Sequence, residues 1–328
     1  MTALLESKGL TKFFRIGRGQ VVHAVDGVTL AIAPRETVGL VGESGSGKST
    51  YGKTVLGLHD KTAGSVTFRG EQLPQRYQPG DFQRLAASMQ MIFQDPYSSL
   101  NPRMTVGEII GEGLRLHSRK SGREIRDRVA LWLEQVGLNA DHMSRYPHEF
   151  SGGQRQRIGI ARAMILEPEF VVCDEPISAL DVSVQAQVIN LLGDLKQRMG
   201  LTLLFIAHDL SMVRYVSDRM AVMYLGSLVE LGPADQVYFQ PRHPYTRILV
   251  ESNPEPDPES ERNRQSTTIS GEIPSPVNVP AGCRFANRCP EVMAVCRRET
   301  PQLLPLKDVD RQVACHLYPA DSTSAPLR

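Results

Sequence analysis

Glu36-Thr-Val-Gly-Leu-Val-Gly-Glu-Ser-Gly-Ser-Gly-Lys-Ser-Thr50 is the stretch that decides the fold. Residues 36–41 read as a buried strand of apolar and β-branched side chains that runs straight into a glycine loop. From Gly42 the loop fits G-x-x-x-x-G-K-[ST], in the strand-then-helix setting that pattern needs. Glycines at 45 and 47 let the backbone N–H groups of Gly45, Gly47 and Lys48 approach and wrap phosphate oxygens. The helix that follows points its positive end at the same place. Gly42, Ser44, Gly45, Gly47, Lys48, Ser49 and Thr50 are therefore the candidate phosphate-binding set. Lys48 is expected to reach the β- and γ-phosphates, and Ser49 to set its hydroxyl on Mg²⁺. The plain alternative is a glycine-rich turn with a surface lysine.

Outward from the loop, apolar runs alternate with helical patterns through residues 1–235, which is the signature of an α/β domain. Phe170-Val-Val-Cys173 runs into Asp174 and Glu175, and Leu201-Thr-Leu-Leu-Phe-Ile-Ala207 runs into His208. Both read as buried parallel strands with polar residues at their C-terminal ends, where open α/β sheets bind ligands. Asp174 is expected to hold Mg²⁺ through a water, and Glu175 to polarise the water that attacks a γ-phosphate. Alone the two acids would also suit a surface turn. Their pairing with the glycine loop favours chemistry.

Residues 101–149 carry two helical patterns and little strand character. Ser121 with Glu124 predicts a capping box, and Ile125, Val129, Trp132, Leu133 and Val136 one apolar face that stops at Gly137. A second long helix is predicted over 183–199, with Val184, Val188, Leu191, Leu192 and Leu195 on one side and Gly200 as its stop. Ser151-Gly-Gly-Gln-Arg-Gln-Arg157 opens another helix, and its serine and glycines expose N–H donors, which makes it either a capping turn or a second anion site. Two phosphate-binding helix starts exceed what one nucleotide needs, unless the second serves a nucleotide held by a partner.

The balance of 37 Lys and Arg against 36 Asp and Glu gives a net charge of +1 and argues against nucleic acid or a membrane surface as the main partner. Apolar runs such as 203–207 and 220–225 fall far below the roughly 18 to 20 residues of a bilayer span. The N-terminus shows no export leader, so a cytosolic chain is expected. Of five cysteines, four lie in the last 46 residues, a distribution that suits a metal or cluster better than disulfides in a reducing compartment. Residues 251–268, with three prolines and no aliphatic or aromatic side chain, read as a linker or surface loop. The cysteine-rich stretch of about 271–318 has so few apolar residues that independent folding would need a staple.

Taken together, Ser-Gly-Gly-Gln-Arg-Gln-Arg at 151–157, the glycine loop before it, and Cys-Asp-Glu-Pro at 173–176 followed by Ser178-Ala-Leu-Asp181 resemble the ATP-binding subunits of ABC transporters. The family's elements stand in order: an aromatic at Phe14, the loop at 42–50, Gln94 in Ile-Phe-Gln-Asp-Pro, the signature at 151–155, Asp174, Glu175, the stretch 178–181, and His208. Arg242-His-Pro-Tyr-Thr246 and the cysteine-rich tail extend the likeness to the dipeptide and oligopeptide importers.

The resemblance implies a P-loop NTPase core with a helical subdomain and a small cysteine-rich C-terminal extension. The expected divisions are 1–100 (first part of the core), 101–150 (helical subdomain), 151–235 (second part of the core) and 236–328 (extension). It also implies a head-to-tail dimer with a second ATP-binding subunit, in which Ser151, Gly153 and Gln154 serve the partner's ATP and Asp181 bridges the two subunits. Phe14 would stack on adenine, with Phe13 competing for that role. Gln94 would contact Mg²⁺ and the attacking water, and His208 the γ-phosphate. Two transmembrane permease subunits, an extracytoplasmic substrate-binding protein and a peripheral position on the cytoplasmic face of the inner membrane complete the picture, with no nucleic acid. Nickel, glutathione and other small cargo stay open beside peptides, as does a non-transport ABC protein. A P-loop kinase is disfavoured by the signature.

Cys283, Cys289, Cys296 and Cys315 are spaced C-x5-C-x6-C-x18-C. Four thiolates suit Zn²⁺ or an iron–sulfur cluster, and the absence of C-x(2–4)-C knuckles favours a four-iron, four-sulfur cluster, which some subunits of the resembled branch carry. Zinc and free thiols remain the alternatives. Cys173 is excluded as a buried strand residue.

Overall fold

The computed structural model describes residues 2–178, 180–252, 275–307 and 310–318. Strands β1 (Leu5–Arg15), β2 (Val21–Ile32) and β3 (Thr37–Val41) precede helix α1 (Lys48–Val55), and β4 (Ala63–Phe68) and β5 (Glu71–Gln72) follow it. Helix α2 (Pro79–Leu85), strand β6 (Met89–Ile92) and the short α3 (Pro96–Ser99) lead to helices α4 (Val106–His117), α5 (Gly122–Gln135) and α6 (Gly152–Met164). Strand β7 (Phe170–Asp174), helix α7 (Val182–Met199), strand β8 (Thr202–Ile206) and helix α8 (Leu210–Val216) come next. Strands β9 (Arg219–Tyr224) and β10 (Ser227–Pro233) and helices α9 (Ala234–Phe239) and α10 (Pro244–Glu251) precede the short strands β11 (Leu304–Pro305) and β12 (Gln312–Val313). The linker expected at 251–268 lies outside the described residues from 253 on.

The contacts divide the chain into two compact units. The first takes residues 1–32 and 37–75 with the described parts of 207–328, and the second residues 33–36 and 76–206. In the first unit, β1 pairs antiparallel with both β2 and β4 in a sheet ordered β2-β1-β4-β5. A second group of strands has β3 parallel to β9, with β10, β12 and β11 continuing antiparallel from β9. All five residues of β3 are buried, as a strand covered on both faces requires. Gly39 is needed within it, because a Cβ there would overlap Val213 of α8 and Ser217.

The second unit holds β6, β7 and β8 in parallel register, with Met89 opposite Phe170 and Phe170 opposite Thr202. Strands β7 and β8 are buried throughout, which is why they read as continuous apolar runs. The Ser121–Glu124 capping box forms as expected, the Ser121 N–H donating to Glu124 Oε2 at 2.7 Å and the Glu124 N–H to Ser121 Oγ at 3.3 Å. Ile125, Val129, Trp132, Leu133 and Val136 are all buried, and Gly137 ends the helix at φ +74°. Helix α7 ends at Gly200 in the left-handed region. Its buried side holds Val188, Ile189, Leu192 and Leu195, whereas Val184 and Leu191 are only half-buried.

The C-terminal segment is not the appended cysteine-rich extension that was expected. Strand β12 pairs with β10, matching Glu230 to Val313 and Leu231 to Gln312, and so makes the segment part of the first unit's sheet. Leu306, Val313, Leu317 and Tyr318 form a small core there, with Met293 and Cys315 packed against it. The few apolar residues suffice because the sheet they pack on is supplied by strands β9 and β10 of the first unit rather than built within the segment.

Candidate functional site

In the first unit the glycine loop follows β3 directly. Gly42, Gly45 and Gly47 have φ of +152°, +78° and +105°, all in the region that glycine enters without strain. A Cβ on Gly42 would overlap the Met223 carbonyl and one on Gly47 the Ala24 carbonyl, so two glycines are fixed by the protein behind the loop. A Cβ on Gly45 would meet nothing within 4 Å, so that glycine lies on the loop's open side, where an anion is received. Ser44 and Gly45 are exposed, Ser49 and Thr50 half-buried, and Lys48 is 4% exposed. The Lys48 ammonium donates to the Gly42 carbonyl at 2.7 Å, the Glu43 carbonyl at 2.9 Å and Ser46 Oγ at 3.4 Å. The loop thus holds its own cation curled over its backbone, and the open glycine face with a buried lysine beside it fits a polyphosphate.

Phe14 is half-buried on β1, edge-on to His59 at 5.3 Å, with Lys12 Nζ 4.7 Å from its ring centre. Phe13 instead packs against His23 at 4.1 Å, which leaves Phe14 the better placed of the two for a flat ligand. His208 is exposed one residue before Asp209, whose carboxylate caps α8 through the N–H groups of Ser211 and Met212.

Two contacts to the loop escaped the sequence reading. The Glu43 N–H donates to the Tyr245 hydroxyl at 2.9 Å, and the Glu43 carboxylate accepts two hydrogen bonds from the Arg288 guanidinium, at 2.8 and 2.9 Å. Glu43 occupies a variable position of the motif and Arg288 stands 245 residues away, so spacing carried no sign of the pair.

In the second unit, Asp174 ends β7 at 2% exposure. Glu175 follows at φ +44°, a left-handed conformation that costs an acidic side chain about 1 kcal/mol. Its carboxylate accepts a hydrogen bond from Gln94 Nε2 at 2.9 Å, so two predicted residues 81 positions apart meet. Ser151 caps α6, accepting the Gln154 N–H at 3.3 Å while Gln154 Oε1 accepts the Ser151 N–H at 3.0 Å. A Cβ on Gly153 would press on Val184 Cγ1 at 2.5 Å, which explains a glycine inside the first turn. Asp181 precedes α7 with no capping bond from its side chain, while Gln185 Nε2 donates to the Leu180 carbonyl at 2.9 Å. Arg155 of α6 lies over the ring of Tyr97 at 3.9 Å, joining the signature helix to the segment after Gln94.

The four tail cysteines were expected as ligands of one cluster, and the free-thiol geometry does not form one. Among the described residues no group of three or more His, Cys, Asp or Glu is close enough to hold a metal ion. Burial pushes the Cys289 thiol up to about 11 and that of Cys315 up to about 12, and raises that of Cys283, so these groups stay protonated at neutral pH. The four do lie in one neighbourhood: the Cys283 N–H donates to the Cys296 carbonyl at 2.7 Å, and the other three cysteines add to burial in raising the Cys315 thiol. Cys173 is fully buried in β7, its thiol raised to about 12 by burial, as a packing residue would be.

Over residues 25–178 the chain matches the family described as ABC transporter, and over 229–296 the one described as oligopeptide/dipeptide transporter, C-terminal region. A putative oligopeptide transport ATP-binding protein of Bacillus subtilis (strain 168) is 54% identical over 326 residues, 99% of this chain and 98% of that protein. An oligopeptide transport ATP-binding protein of Escherichia coli (strain K12) is 52% identical, with 92% of each chain covered. Among solved structures, a dimeric ATP-binding cassette in a post-hydrolysis state, bound to ADP and Pi, superposes with a TM-score of 0.65 at 28% identity. That match covers 70% of this chain and 98% of that one.

Proposed function

The chain belongs to the ATP-binding proteins of ABC transporters, in the oligopeptide and dipeptide branch, and on that premise we propose that it hydrolyses ATP to power import of short peptides through membrane permease subunits. The observation that carries the reading is the glycine loop, open at Gly45 and holding Lys48 on the carbonyls of Gly42 and Glu43. Lys48 leaves those carbonyls for the β- and γ-phosphates. Glu175 takes the proton of the attacking water, Gln94 orients that water, and His208 donates to the γ-phosphate. Ser49, Gln94 and Asp174 are the residues that would hold Mg²⁺, which when bound neutralises charge developing on the phosphate oxygens.

Ser151, Gly153 and Gln154 would act on the nucleotide of a second ATP-binding subunit, identical or paralogous, with Asp181 at the junction and Phe14 on the adenine. Residues 101–150 form the helical subdomain that faces a permease, with the core at 1–100 and 151–235 and the branch-specific region at 236–328. Among the described residues no helix is long and apolar enough to cross a membrane. The chain works from the cytoplasmic face of the inner membrane, with an extracytoplasmic substrate-binding protein delivering the peptide. A four-iron cluster on Cys283, Cys289, Cys296 and Cys315 belongs to the same reading. Their shared neighbourhood supports it, and the four sulfurs, as thiolates, would hold the cluster as a structural staple of the segment. Iron analysis of anaerobically purified protein tests it, and stoichiometric zinc without iron removes it.

The whole proposal is tested by reconstituting the chain with its co-purifying permease subunits in vesicles and following labelled di- to pentapeptides. ATP-dependent peptide uptake that is lost in Glu175→Gln is expected. Hydrolysis that drives nickel or glutathione but no peptide would overturn the cargo.

A further inference from the structure

The C-terminal segment reaches the phosphate loop through one side chain. Arg288 is 7% exposed, and its guanidinium meets the Glu43 carboxylate in a two-bond fork, with Nη1 also 3.3 Å from the Tyr224 hydroxyl. Glu43 is the first residue after Gly42, and its own backbone carbonyl is one of the oxygens that hold the Lys48 ammonium. Its N–H is tied to Tyr245, so both ends of this one loop residue are fixed by side chains from beyond residue 240.

The platform behind Arg288 is rigid. Phe285, Tyr224 and Tyr245 are each at most 1% exposed and pack ring to ring at 4.6 to 5.4 Å. Two tight turns, Ala286 N–H to Cys283 O at 3.0 Å and Arg288 N–H to Phe285 O at 2.9 Å, join Cys283 to Arg288. Gly282 lies so close to the Cys296 carbonyl that a Cβ there would overlap it.

We propose that Arg288 is a positioning residue for ATP binding: through its fork on Glu43 it holds the loop carbonyls that seat Lys48, so that the cysteine-bearing C-terminal segment sets the nucleotide affinity of the core. A bidentate fork fixes an orientation as well as a distance, which a single point charge does not. The inference rests on the glycine loop being the ATP site, and its test separates the two.

MgATP binding to the purified full chain is measured at equilibrium for wild type, Lys48→Ala, Arg288→Ala, Arg288→Lys, Glu43→Gln, the double Arg288→Ala/Glu43→Gln, and Arg284→Ala. Lys48→Ala tests the ATP site itself, and wild type that does not bind MgATP sinks that reading first. Arg284 is the control: it sits in the turn before that of Arg288, and its guanidinium pairs with Asp26 at 2.5 Å and donates to the Leu225 carbonyl, partners outside residues 42–50. Arg288→Ala should raise the Kd for MgATP about tenfold or more, the scale of a lost charge-assisted fork. Arg288→Lys, which keeps the charge and loses the fork, should fall between, and it stands in for the alanine variant should that one fail to fold. Glu43→Gln should match Arg288→Ala, and the double variant should bind no worse than either single one. In the assembled transporter, KM for ATP should rise while kcat at saturating ATP stays within about threefold. Arg288→Ala and Arg288→Lys binding within twofold of wild type overturns the proposal. So does an equal loss in Arg284→Ala, or an additive double variant.

Discussion

Replacing Glu175 by Gln isolates the proton transfer from everything else the site does. The carboxylate accepts from Gln94 Nε2 at 2.9 Å, and a glutamine can still present its carbonyl oxygen to that amide, so the ground-state contact survives. Backbone strain at φ +44° is the same for both residues, and Glu175 is only half-buried, so folding stability should change by less than about 0.5 kcal/mol. What disappears is the base. General-base catalysis contributes about 10²- to 10⁴-fold, or about 3 to 5 kcal/mol of barrier. The loss should appear in kcat and not in the Kd for MgATP, because in this reading the loop backbone and Lys48, not Glu175, hold the phosphates. Phosphate release over hours and equilibrium nucleotide binding on the same preparation give both numbers. Turnover within tenfold of wild type, with binding intact, would show that the proton leaves by another route and that the strained backbone at 175 serves a different end.

Trp132→Ala removes a 2% exposed indole from the core of α5 and should cost about 3 to 5 kcal/mol, read as a lowered midpoint in urea. A Ser151→Arg chain mixed with a Lys48→Ala chain should regain ATPase activity, since one mixed dimer then holds one intact pair of loop and signature; mixed dimers without recovery refute action across subunits. His243 is 2% exposed, its Nδ1 accepting the Tyr245 N–H, and burial followed by the nearby Arg247 lowers its pKa to about 3. A depressed folded-state pKa means that the unfolded chain takes the proton first, so stability falls as pH drops below about 6.5. His243→Asn keeps an acceptor for the Tyr245 N–H, beside the Glu230 carboxylate bonded to the residue's own N–H, and removes the titration. Wild type should therefore lose about 2 kcal/mol relative to the variant between pH 7 and pH 5, measured by denaturant unfolding; parallel curves would refute the assignment.

The residues legible in the sequence were those whose neighbours along the chain carry the explanation. Strands β3, β7 and β8 are buried on both faces, so each had to be a largely apolar run, and the place where each run breaks off points to Gly42, Asp174 and His208. Helix α5 showed its face because Ser121 and Glu124 fix its start, and with it the phase of the apolar stripe. Helix α7 has no side-chain cap at Asp181, and there the stripe holds at Val188, Leu192 and Leu195 but misses Ile189, which is buried while Val184 and Leu191 are half-buried. The cysteines were legible only in part, for a related reason. Spacing along a chain states which thiols a metal could recruit, whereas convergence depends on β12 joining β10, a pairing of two residues on each strand with no local signal. Arg288 and Glu43 lie at the far end of that scale. Each alone reads as a solvated surface charge, and only the packing of Tyr224, Tyr245 and Phe285 brings them into one buried fork. A phosphate-loop motif specifies the backbone that can wrap an anion, and it leaves open what holds that backbone still. In this chain the second task falls to residues the motif does not contain, so exchanging the C-terminal segment should alter ATP affinity even though every motif residue is kept.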